Sequence, residues 1–433
     1  MRVLLLGATG FIGSEIAAAL LHRGHQVSGL ARDPAFGARI LPAVEWIGGD
    51  LRAFQTAVAW RSLLGDVDVV VNASGALQTG LRDDVAAVQS GAIRALVAAC
   101  RDADIGHFVQ ISASNADSGA ASDFMASKGE ADAFLAASGL SCTILRPGLV
   151  IGRNAFGGTE LLRMAASLPG VLPEIAGTGA VQCVALADVV HAVIGAVEAP
   201  ASARGCFDLV ESSGRGLGEV IRLHRAWLGF APARRRIMVP AWLLHLVSRL
   251  ADGSGWLGWR SPLRSNAVAA LAAGVSGNAA QASIVLGRQA LTLEETLAAL
   301  PRAGKADRWQ ARCALVQPLA LGCLFLLWAG SGVLGFARLP EATAHLVDGG
   351  IPWGLASGLV VAASLGDLAV ALLVSFRQTA RVALLGMLAL SLAYVAGALA
   401  LLPGLWLDPL GPMLKVLPII ALTLLCLAMV DER

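Results

Sequence analysis

Three glycines near the amino terminus are spaced to bind the phosphates of a nucleotide. The apolar residues 3–6 run directly into Gly7-Ala8-Thr9-Gly10-Phe11-Ile12-Gly13, and a helix-forming stretch follows over residues 15–21. In such a unit one glycine turns the chain, the next lets the backbone approach a pyrophosphate, and the third lets the helix pack on the strand. The free N–H groups of the helix N-terminus then face the phosphates. This order predicts a dinucleotide site formed by Gly7, Thr9, Gly10, Phe11, Ile12 and Gly13.

The end of the second predicted strand bears on the choice of nucleotide. An acidic residue there would hold the ribose 2′-hydroxyl of NAD, whereas an arginine can pair with the 2′-phosphate of NADP. Arg32 occupies this place and Asp33 follows one residue later. The sequence therefore predicts NADP(H) in preference to NAD(H). A solvated surface arginine is the alternative for Arg32.

Two further loops follow the third and fourth predicted strands. Residues 49–51 can contact the adenine ring, and residues 72–75 offer small side chains where a nicotinamide ribose would lie. They extend the predicted cofactor site by Asp50, Leu51, Ala73, Ser74 and Gly75.

The loops require a scaffold of strands alternating with helices. Short β-rich runs at residues 26–30, 44–47, 67–71, 107–111 and 142–145 are separated by helical stretches such as 84–104 and 122–137. Strands buried on both faces and alternating with helices indicate a doubly wound parallel sheet. We predict an α/β Rossmann domain over residues 1–305, with a small helical lobe at about 211–300.

Four apolar segments follow, at residues 313–336, 351–376, 380–402 and 411–430. Each has about twenty residues or more, enough to cross roughly 30 Å of hydrocarbon. The composition agrees, because 56% hydrophobic and 15% charged residues are unusual for a purely soluble enzyme. We predict a four-helix transmembrane bundle over residues 306–433, which makes the lipid bilayer a partner.

The flanking charges predict an orientation. Arg302, Lys305, Arg308 and Arg312 precede the first apolar segment, and the second connection contains Arg377 and Arg381. The positive-inside tendency then places both termini and the nucleotide domain in the cytoplasm. The expected location is the inner (plasma) membrane, which the chain crosses several times.

Charge and spacing also argue against other functional classes. A net charge of +2 gives no indication of a nucleic-acid partner. The seven cysteines are scattered, without the paired spacing of metal or redox motifs. We therefore expect no metal site.

In its motifs the first part of the chain resembles the short-chain dehydrogenase/reductase superfamily, in its extended or atypical branch. The resemblance rests on Gly7/Gly10/Gly13, Asp50-Leu51, residues 72–75, Ser112-Ala113-Ser114, Lys128 and Leu145-Arg146-Pro147-Gly148. It implies an NAD(P)-dependent oxidoreductase with Pro147 and Gly148 beside the nicotinamide. The apolar tail resembles a DoxX-like membrane module in the number, length and position of its segments.

The catalytic pair that this resemblance implies is incomplete. The family has a tyrosine four residues before a lysine, and this chain has Phe124 and Lys128. The chain's only tyrosine, Tyr394, lies in the third apolar segment. We therefore assign Lys128 to the cofactor ribose, with a surface lysine as the alternative. Ser112 and Ser114 fall where a family serine polarises the substrate carbonyl, and they could instead cap the following turn.

A basic run, Arg234-Arg235-Arg236, precedes a helical stretch that begins at Pro240 and contains Trp242. We favour a helix that faces the core of the small lobe. The alternative is a helix on the anionic inner leaflet.

Asp367 lies inside the second apolar segment, about 13 Å from its cytoplasmic end. A carboxylic acid at that depth usually has a polar partner or a functional role. Lys415, in the fourth segment, is distant along the membrane normal, so Asp367 is either protonated or faces a polar cavity that admits a proton or a quinone head group. Ser331 and nearby glycines suit close helix packing.

Two functions are compatible with this sequence. The first is a membrane-anchored NADP(H)-binding protein, degenerate at Phe124, that serves as a redox-responsive scaffold or assembly factor for a membrane-protein partner. The alternative is an NAD(P)H-dependent oxidoreductase that acts on a membrane-partitioned substrate such as a quinone or a lipid carbonyl. The missing tyrosine leaves enzymatic activity open.

Overall fold

The computed structural model describes residues 1–75, 79–80, 84–120, 122–259, 261, 263–409 and 411–430. The chain divides into two compact units. The first unit comprises Met1–Gly253 and Ser261–Arg308, and the second comprises Ser254–Arg260 and Trp309–Arg433.

A parallel sheet of seven strands forms the centre of the first unit. In chain order the strands of the described region are β1 Arg2–Leu6, β2 Gln26–Ala31, β3 Glu45–Gly48, β4 Val69–Asn72, β5 His107–Ile111, β6 Cys142–Pro147, β7 Leu149–Ile151, β8 Val171–Glu174, β9 Cys183–Ala185, β10 Gly205–Leu209 and β11 Arg235–Met238. The large sheet has the order β10-β6-β5-β4-β1-β2-β3, and β7 pairs with β9 and β8 with β11. The predicted doubly wound parallel sheet is confirmed.

Both faces of this sheet are covered, as its apolar strands require. Val3 and Leu5 of β1 belong to one buried cluster. Leu4 and Leu6 point to the opposite face and belong to a second cluster, which contains the fully buried Trp60. The alternation of side chains along β1 thus fixes a helical layer on each side.

Helices supply these layers and the small lobe. They are α1 Gly13–His22, α2 Pro34–Ile40, α3 Ala57–Leu64, α4 Ala92–Asp102, α5 Asp123–Ala137, α6 Gly158–Ala166, α7 Leu186–Glu198, α8 Leu217–Trp227, α9 Ala241–Trp256, α10 Ser265–Ala273, α11 Ala279–Leu286 and α12 Leu293–Ala299. The helix predicted at 122–137 is confirmed, and the side chain of Ser122 caps its N-terminus. The stretch predicted as one helix at 84–104 is divided, because a π-helical turn at Ala87–Gly91 precedes α4.

The helix after the basic run differs from the prediction. Trp242, Leu246 and Leu250 of α9 are exposed, whereas the small residues Ser248 and Ala251 are buried. The prediction that the apolar side of this helix faces the core is therefore wrong. Leu244 and Val247 are half-buried, but the larger part of the apolar surface of α9 faces outward.

The second unit is helical. Its helices are α13 Lys305–Ala337, which begins in the first unit, and α14 Leu339–Asp348, α15 Trp353–Ser375, α16 Ala380–Leu401 and α17 Val416–Val430. In the described part of the chain, α13, α15 and α16 are long and apolar enough to cross a membrane. The apolar α17 has 15 residues, or about 22 Å, and is shorter than predicted. Lys415 lies in the turn before α17 and is exposed, so its predicted place inside a span is wrong.

The three long helices meet at the buried carboxyl group of Asp367 on α15. Ser331 of α13 donates a hydrogen bond to Oδ2 at 2.6 Å, and Tyr394 of α16 donates one to Oδ1 at 2.5 Å. Ser331 is therefore a polar partner of Asp367, and this hydrogen bond joins α13 to α15. No ion pair of Asp367 with Lys415 is present in the described region.

Candidate functional site

The glycine loop between β1 and α1 is folded tightly against the end of β4. Gly7 has φ +75°, and a Cβ there would lie 2.7 Å from the carbonyl oxygen of Ala73. A Cβ at Gly13 would lie 2.1 Å from the carbonyl oxygen of Gly7. Only glycine is compatible with such distances and, at position 7, with such a backbone angle. The first and third predicted glycines thus have the roles that the loop requires.

The middle of the same loop is open to a ligand. Thr9 and Gly10 are exposed, and a Cβ at Gly10 would meet only the carbonyl oxygen of Gly7, at 3.1 Å. Phe11 and Ile12 are half-buried. The helix α1 that follows has no side-chain cap. The Ser14 N–H donates to the carbonyl oxygen of Gly10 at 3.0 Å, and the uncapped start of the helix suits an anion. This cradle fits a pyrophosphate.

Arg32 and Asp33 follow β2 and differ in their surroundings. Asp33 is the N-cap of α2, where its Oδ1 accepts the Phe36 N–H at 2.9 Å. Arg32 is exposed beside it. One carboxylate oxygen of Asp33 thus accepts a hydrogen bond at the start of α2, and Arg32 carries the positive charge at the end of β2.

Asp50, at the end of the β3 loop, is held by its neighbour. It accepts the Arg52 backbone N–H at 3.0 Å and pairs with the Arg52 guanidinium at 2.7 Å. These contacts lower the pKa of Asp50, and the charge of Arg32 contributes to the shift. Leu51, half-buried, begins the short turn that follows.

Asn72, at the end of β4, fixes the loop that carries Ala73, Ser74 and Gly75. Its amide donates to Gln110 at 2.8 Å, and its Oδ1 accepts the Ser74 N–H at 3.0 Å and the Ser74 hydroxyl at 2.5 Å. The Ala73 N–H donates to the carbonyl of Leu6 at the end of β1. The loop is therefore tied to the strand that precedes the glycine turn.

Lys128 lies beside this loop rather than on the surface. A Cβ at Gly75 would be 3.9 Å from its Nζ, and Nζ donates to the carbonyl oxygen of Ile111 at 2.9 Å. Lys128 is only 6% exposed, so the surface alternative is wrong. Burial lowers its pKa to about 8, against the opposing charge of Asp132. The ring centroid of Phe124 is 5.7 Å from Nζ.

The two serines after β5 use their hydroxyl hydrogens within the protein. Ser112 donates to Oδ2 of Asp132 at 2.7 Å, and Ser114 donates to the carbonyl oxygen of Arg146 at 3.2 Å. Both serines are buried. Their role toward a substrate stays a prediction.

Asp132, which joins Ser112 to Arg146, was not predicted from the sequence. Asp132 is buried and also accepts from Nε of Arg146 at 3.0 Å. Burial raises its pKa, and the hydrogen bond from Ser112 and the charges of Arg146 and Lys128 oppose this rise. The signal was present, because residues four apart share one helical face and Asp132 follows Lys128 by four.

Pro147 and Gly148 close the end of β6. The Pro147 carbonyl accepts the Ser114 N–H at 2.9 Å, and the Gly148 N–H donates to Leu209 at 2.9 Å. A Cβ at Gly148 would lie 2.5 Å from the carbonyl oxygen of Gln182. All the predicted site residues thus lie at or just beyond the carboxyl ends of strands, or on α1 and α5 beside them. Ligands of open parallel sheets bind at this edge, at the point between β1 and β4 where the order of the strands reverses.

Comparison with known families assigns both parts of the chain. Residues 7–194 match a family described as NAD(P)H-binding, and residues 324–424 match the DoxX-like family. A 3-diazoavenalumate denitrifying reductase from Streptomyces sp. is 31% identical over 265 residues, which cover 54% of this chain and 84% of the reductase.

Solved structures share the fold of the first part. WbmG of Bordetella bronchiseptica in complex with NAD has a TM-score of 0.54 and 16% identity, and the match covers 73% of this chain and 96% of WbmG. A UDP-glucuronic acid 4-epimerase from Bacillus cereus, in complex with UDP-glucuronic acid and NAD, has a TM-score of 0.50 and 18% identity over 69% and 97% of the two chains. At this identity the likeness concerns the fold alone.

Proposed function

Because this chain belongs to the NAD(P)-binding short-chain dehydrogenase/reductase family, with a DoxX-like membrane part, we propose that it is a membrane-anchored NADP(H)-dependent reductase working without a tyrosine acid. The observation that carries the proposal is the glycine cradle. Gly7 and Gly13 leave no space for a side chain, while Gly10 is exposed. The cradle is thus suited to a dinucleotide although the proton donor is missing.

The residues that would hold the nucleotide follow from their positions. The amides at the start of α1 would bind the pyrophosphate, and Lys128 beside Gly75 would bind the nicotinamide ribose. Arg32 would pair with a 2′-phosphate, since Asp33 is engaged as a helix cap. The bound NADPH supplies a hydride.

The proton needed after hydride transfer limits the choice of substrate. Phe124 has no exchangeable proton, and Ser112 and Ser114 donate their hydroxyl hydrogens to Asp132 and to a backbone carbonyl. We therefore expect a substrate that accepts the hydride and becomes an anion, and this anion then takes its proton from water. A quinone held in the bilayer has this property, and the curated relative is itself named as a reductase of a diazo compound.

A second candidate is the nucleotide-responsive scaffold or assembly factor for a membrane-protein partner. The observation that favours it is the replacement of the phenol by Phe124, together with the inward hydrogen bonds of both serines. In this case NADPH binds without being consumed.

We further propose that the first unit lies on the cytoplasmic side of the inner membrane, where NADPH is available. The support is the basic residues around the start of α13 and around the connection between α15 and α16, in contrast to the acidic residues Glu341 and Asp348 of α14.

The test combines nucleotide titration with turnover by the full-length protein in detergent. Arg32→Ala should weaken NADPH binding by about tenfold to a hundredfold, the effect of a lost charge-assisted hydrogen bond, and leave NADH binding unchanged. Arg39→Ala, on the exposed side of α2, is the matched control. Gly10→Asp should abolish the binding of both nucleotides.

Turnover separates the two candidates. Oxidation of NADPH by a quinone, with little reduction of simple carbonyls, supports the reductase. Tight NADPH binding without oxidation by any quinone, carbonyl or diazo acceptor supports the scaffold. Equal affinity for NADPH and NADH that Arg32→Ala does not change would refute the preference for NADP(H).

A further inference from the structure

The helix α9 presents an apolar surface that is exposed among the described residues. Trp242 is 68% exposed, Leu246 is 50% exposed and Leu250 is 67% exposed. At 100° per residue these three side chains fall within an arc of about 80°. Leu243, also exposed, extends the same side, which we call the apolar face of α9.

The opposite side of α9 is the packed one. Ser248 and Ala251 are buried, and Asp252 accepts the Ser265 N–H at the start of α10 at 3.1 Å. A water-soluble surface helix normally has the reverse arrangement, with its apolar residues inward. The inverted pattern marks α9 as a helix whose apolar face meets something other than water.

The chain directly before α9 adds positive charge and more exposed apolar area. Arg234, Arg235 and Arg236 are all exposed, and Arg236 forms only a surface ion pair with Glu174, at 3.1 Å. Ile237 and Met238, between these arginines and α9, are exposed as well. Basic residues beside an outward apolar helix with a tryptophan are typical of helices in the plane of an anionic bilayer surface.

We propose that the apolar face of α9 inserts into the interface of the anionic leaflet, with Arg234, Arg235 and Arg236 at the lipid phosphates. The same chain contains helices that are long and apolar enough to cross a membrane, so a bilayer is an apolar phase that this protein meets. A second copy of the protein could also cover an apolar face, but three adjacent arginines on both copies would repel each other. The arginine cluster therefore favours lipid.

The experiment uses the full-length protein reconstituted in vesicles whose lipids carry brominated acyl chains, which quench nearby tryptophans. The emission of Trp242 is obtained as the difference between wild type and Trp242→Phe. As a matched control, Ile284→Trp places a tryptophan at a 63% exposed apolar position on α11 of the same unit. Circular dichroism and NADPH titration verify that the variants are folded.

We expect quenching of the Trp242 emission by about twofold or more, since interfacial helices bury their apolar face 5–10 Å into the acyl boundary, and no quenching of the Ile284→Trp emission. Replacing all three arginines by glutamine should weaken this insertion by about fivefold for each arginine in phosphatidylglycerol vesicles. The same variant should have no effect in pure phosphatidylcholine.

Equal quenching at the two positions would overturn the proposal. It would also fail if Trp242 were shielded from lipid and this shielding were lost on diluting the protein in the bilayer, because that result identifies a second copy as the occupant.

Discussion

Phe124 stands one helical turn before Lys128, with its ring centroid 5.7 Å from the ammonium nitrogen. The ring fills the volume of a phenol but offers the ammonium only its π face. Lys128 is therefore present, but the phenolic hydroxyl whose proton it would help to release is absent at position 124. Lys128 beside Gly75 therefore suits nucleotide binding, while Phe124 supplies no proton.

Restoring the phenol should restore carbonyl chemistry. We expect Phe124→Tyr to raise NADPH-dependent reduction of a carbonyl panel by about a hundredfold, the lower end of what a positioned acid contributes. The matched control is Phe134→Tyr on the same helix, where the ring lies under Arg94 at 4.9 Å and far from Lys128. The measurement is NADPH absorbance over time. Equal rates for the two variants would show that Phe124 does not occupy the acid position.

The buried ammonium of Lys128 should also make stability depend on pH. Its folded pKa of about 8 lies below the unfolded value, so the unfolded chain binds more protons between these values and stability rises with pH across this window. Lys128→Met removes the dependence. The free energy of unfolding of the wild type should gain about 2–3 kcal/mol relative to the variant from pH 7 to pH 10.

Denaturant titration of both proteins in the same detergent measures this difference. Lys305→Met, at the exposed start of α13, is the control and should show no such trend. NADPH binding by Lys128→Met should weaken by about tenfold, as for a lost hydrogen bond from a charged group. A difference that stays constant over this pH range would contradict a buried, titrating lysine.

At the scale of elements, the sequence predicted those features that depend on local pattern. Six of the seven strands of the large sheet and the helix of Lys128 agree within about two residues, because burial on both faces and a helix cap are both visible in a short stretch. No bounds were predicted for the seventh strand, β10. The orientation of α9 was missed for a physical reason. An amphipathic pattern shows that one side of a helix avoids water, but it does not distinguish a protein core from lipid.

The partners of buried polar groups were harder to predict than the elements. Asp132 contacts Ser112 and Arg146, which are 20 and 14 residues away. Asp367 likewise accepts hydrogen bonds from Ser331 and Tyr394, which are 36 and 27 residues away on other helices. Such pairs depend on how elements pack, whereas the glycine loop was predictable because its geometry is set by neighbours in sequence.

Asp367 makes the packing of α13, α15 and α16 depend on two hydroxyl groups. Ser331→Ala removes one donor to the carboxyl group, and Tyr394→Phe removes the other. We expect each to destabilise the second unit by about 0.5–2 kcal/mol, the range for hydrogen bonds between membrane helices. Thermal denaturation in detergent measures the loss.

Ser357→Ala is the matched control for these variants, because Ser357 is half-buried on α15 and its hydroxyl donates to the carbonyl oxygen of Gly354 on its own helix. Its midpoint should stay at the wild-type value. If Ser331→Ala and Tyr394→Phe also leave the midpoint unchanged, the two hydroxyls do not hold the helices together.

At the scale of the whole molecule, each unit has a core of its own. The two clusters that cover the sheet contain only residues of the first unit, up to Ala290. The cluster around Trp328, Leu384 and Cys426 lies wholly in the second unit. Independent cores indicate that the first unit folds and binds its nucleotide without help from the second.

A chain truncated after Gly304 should therefore bind NADPH with a dissociation constant within about twofold of the full-length value, since each predicted nucleotide contact lies in the first unit.

Turnover by the truncated chain should then depend on whether the quinone is in water or in the bilayer. For a water-soluble short-chain quinone the truncated and full-length proteins should have equal rates. For a long-chain quinone in vesicles, loss of the anchor removes the high local concentration of enzyme at the bilayer, and the rate should fall by about tenfold or more. The measurement is NADPH oxidation at matched protein concentration. A truncated chain that oxidises NADPH with the long-chain quinone as fast as the intact protein would contradict a membrane-held substrate, and absence of oxidation in both proteins with both quinones would favour the scaffold.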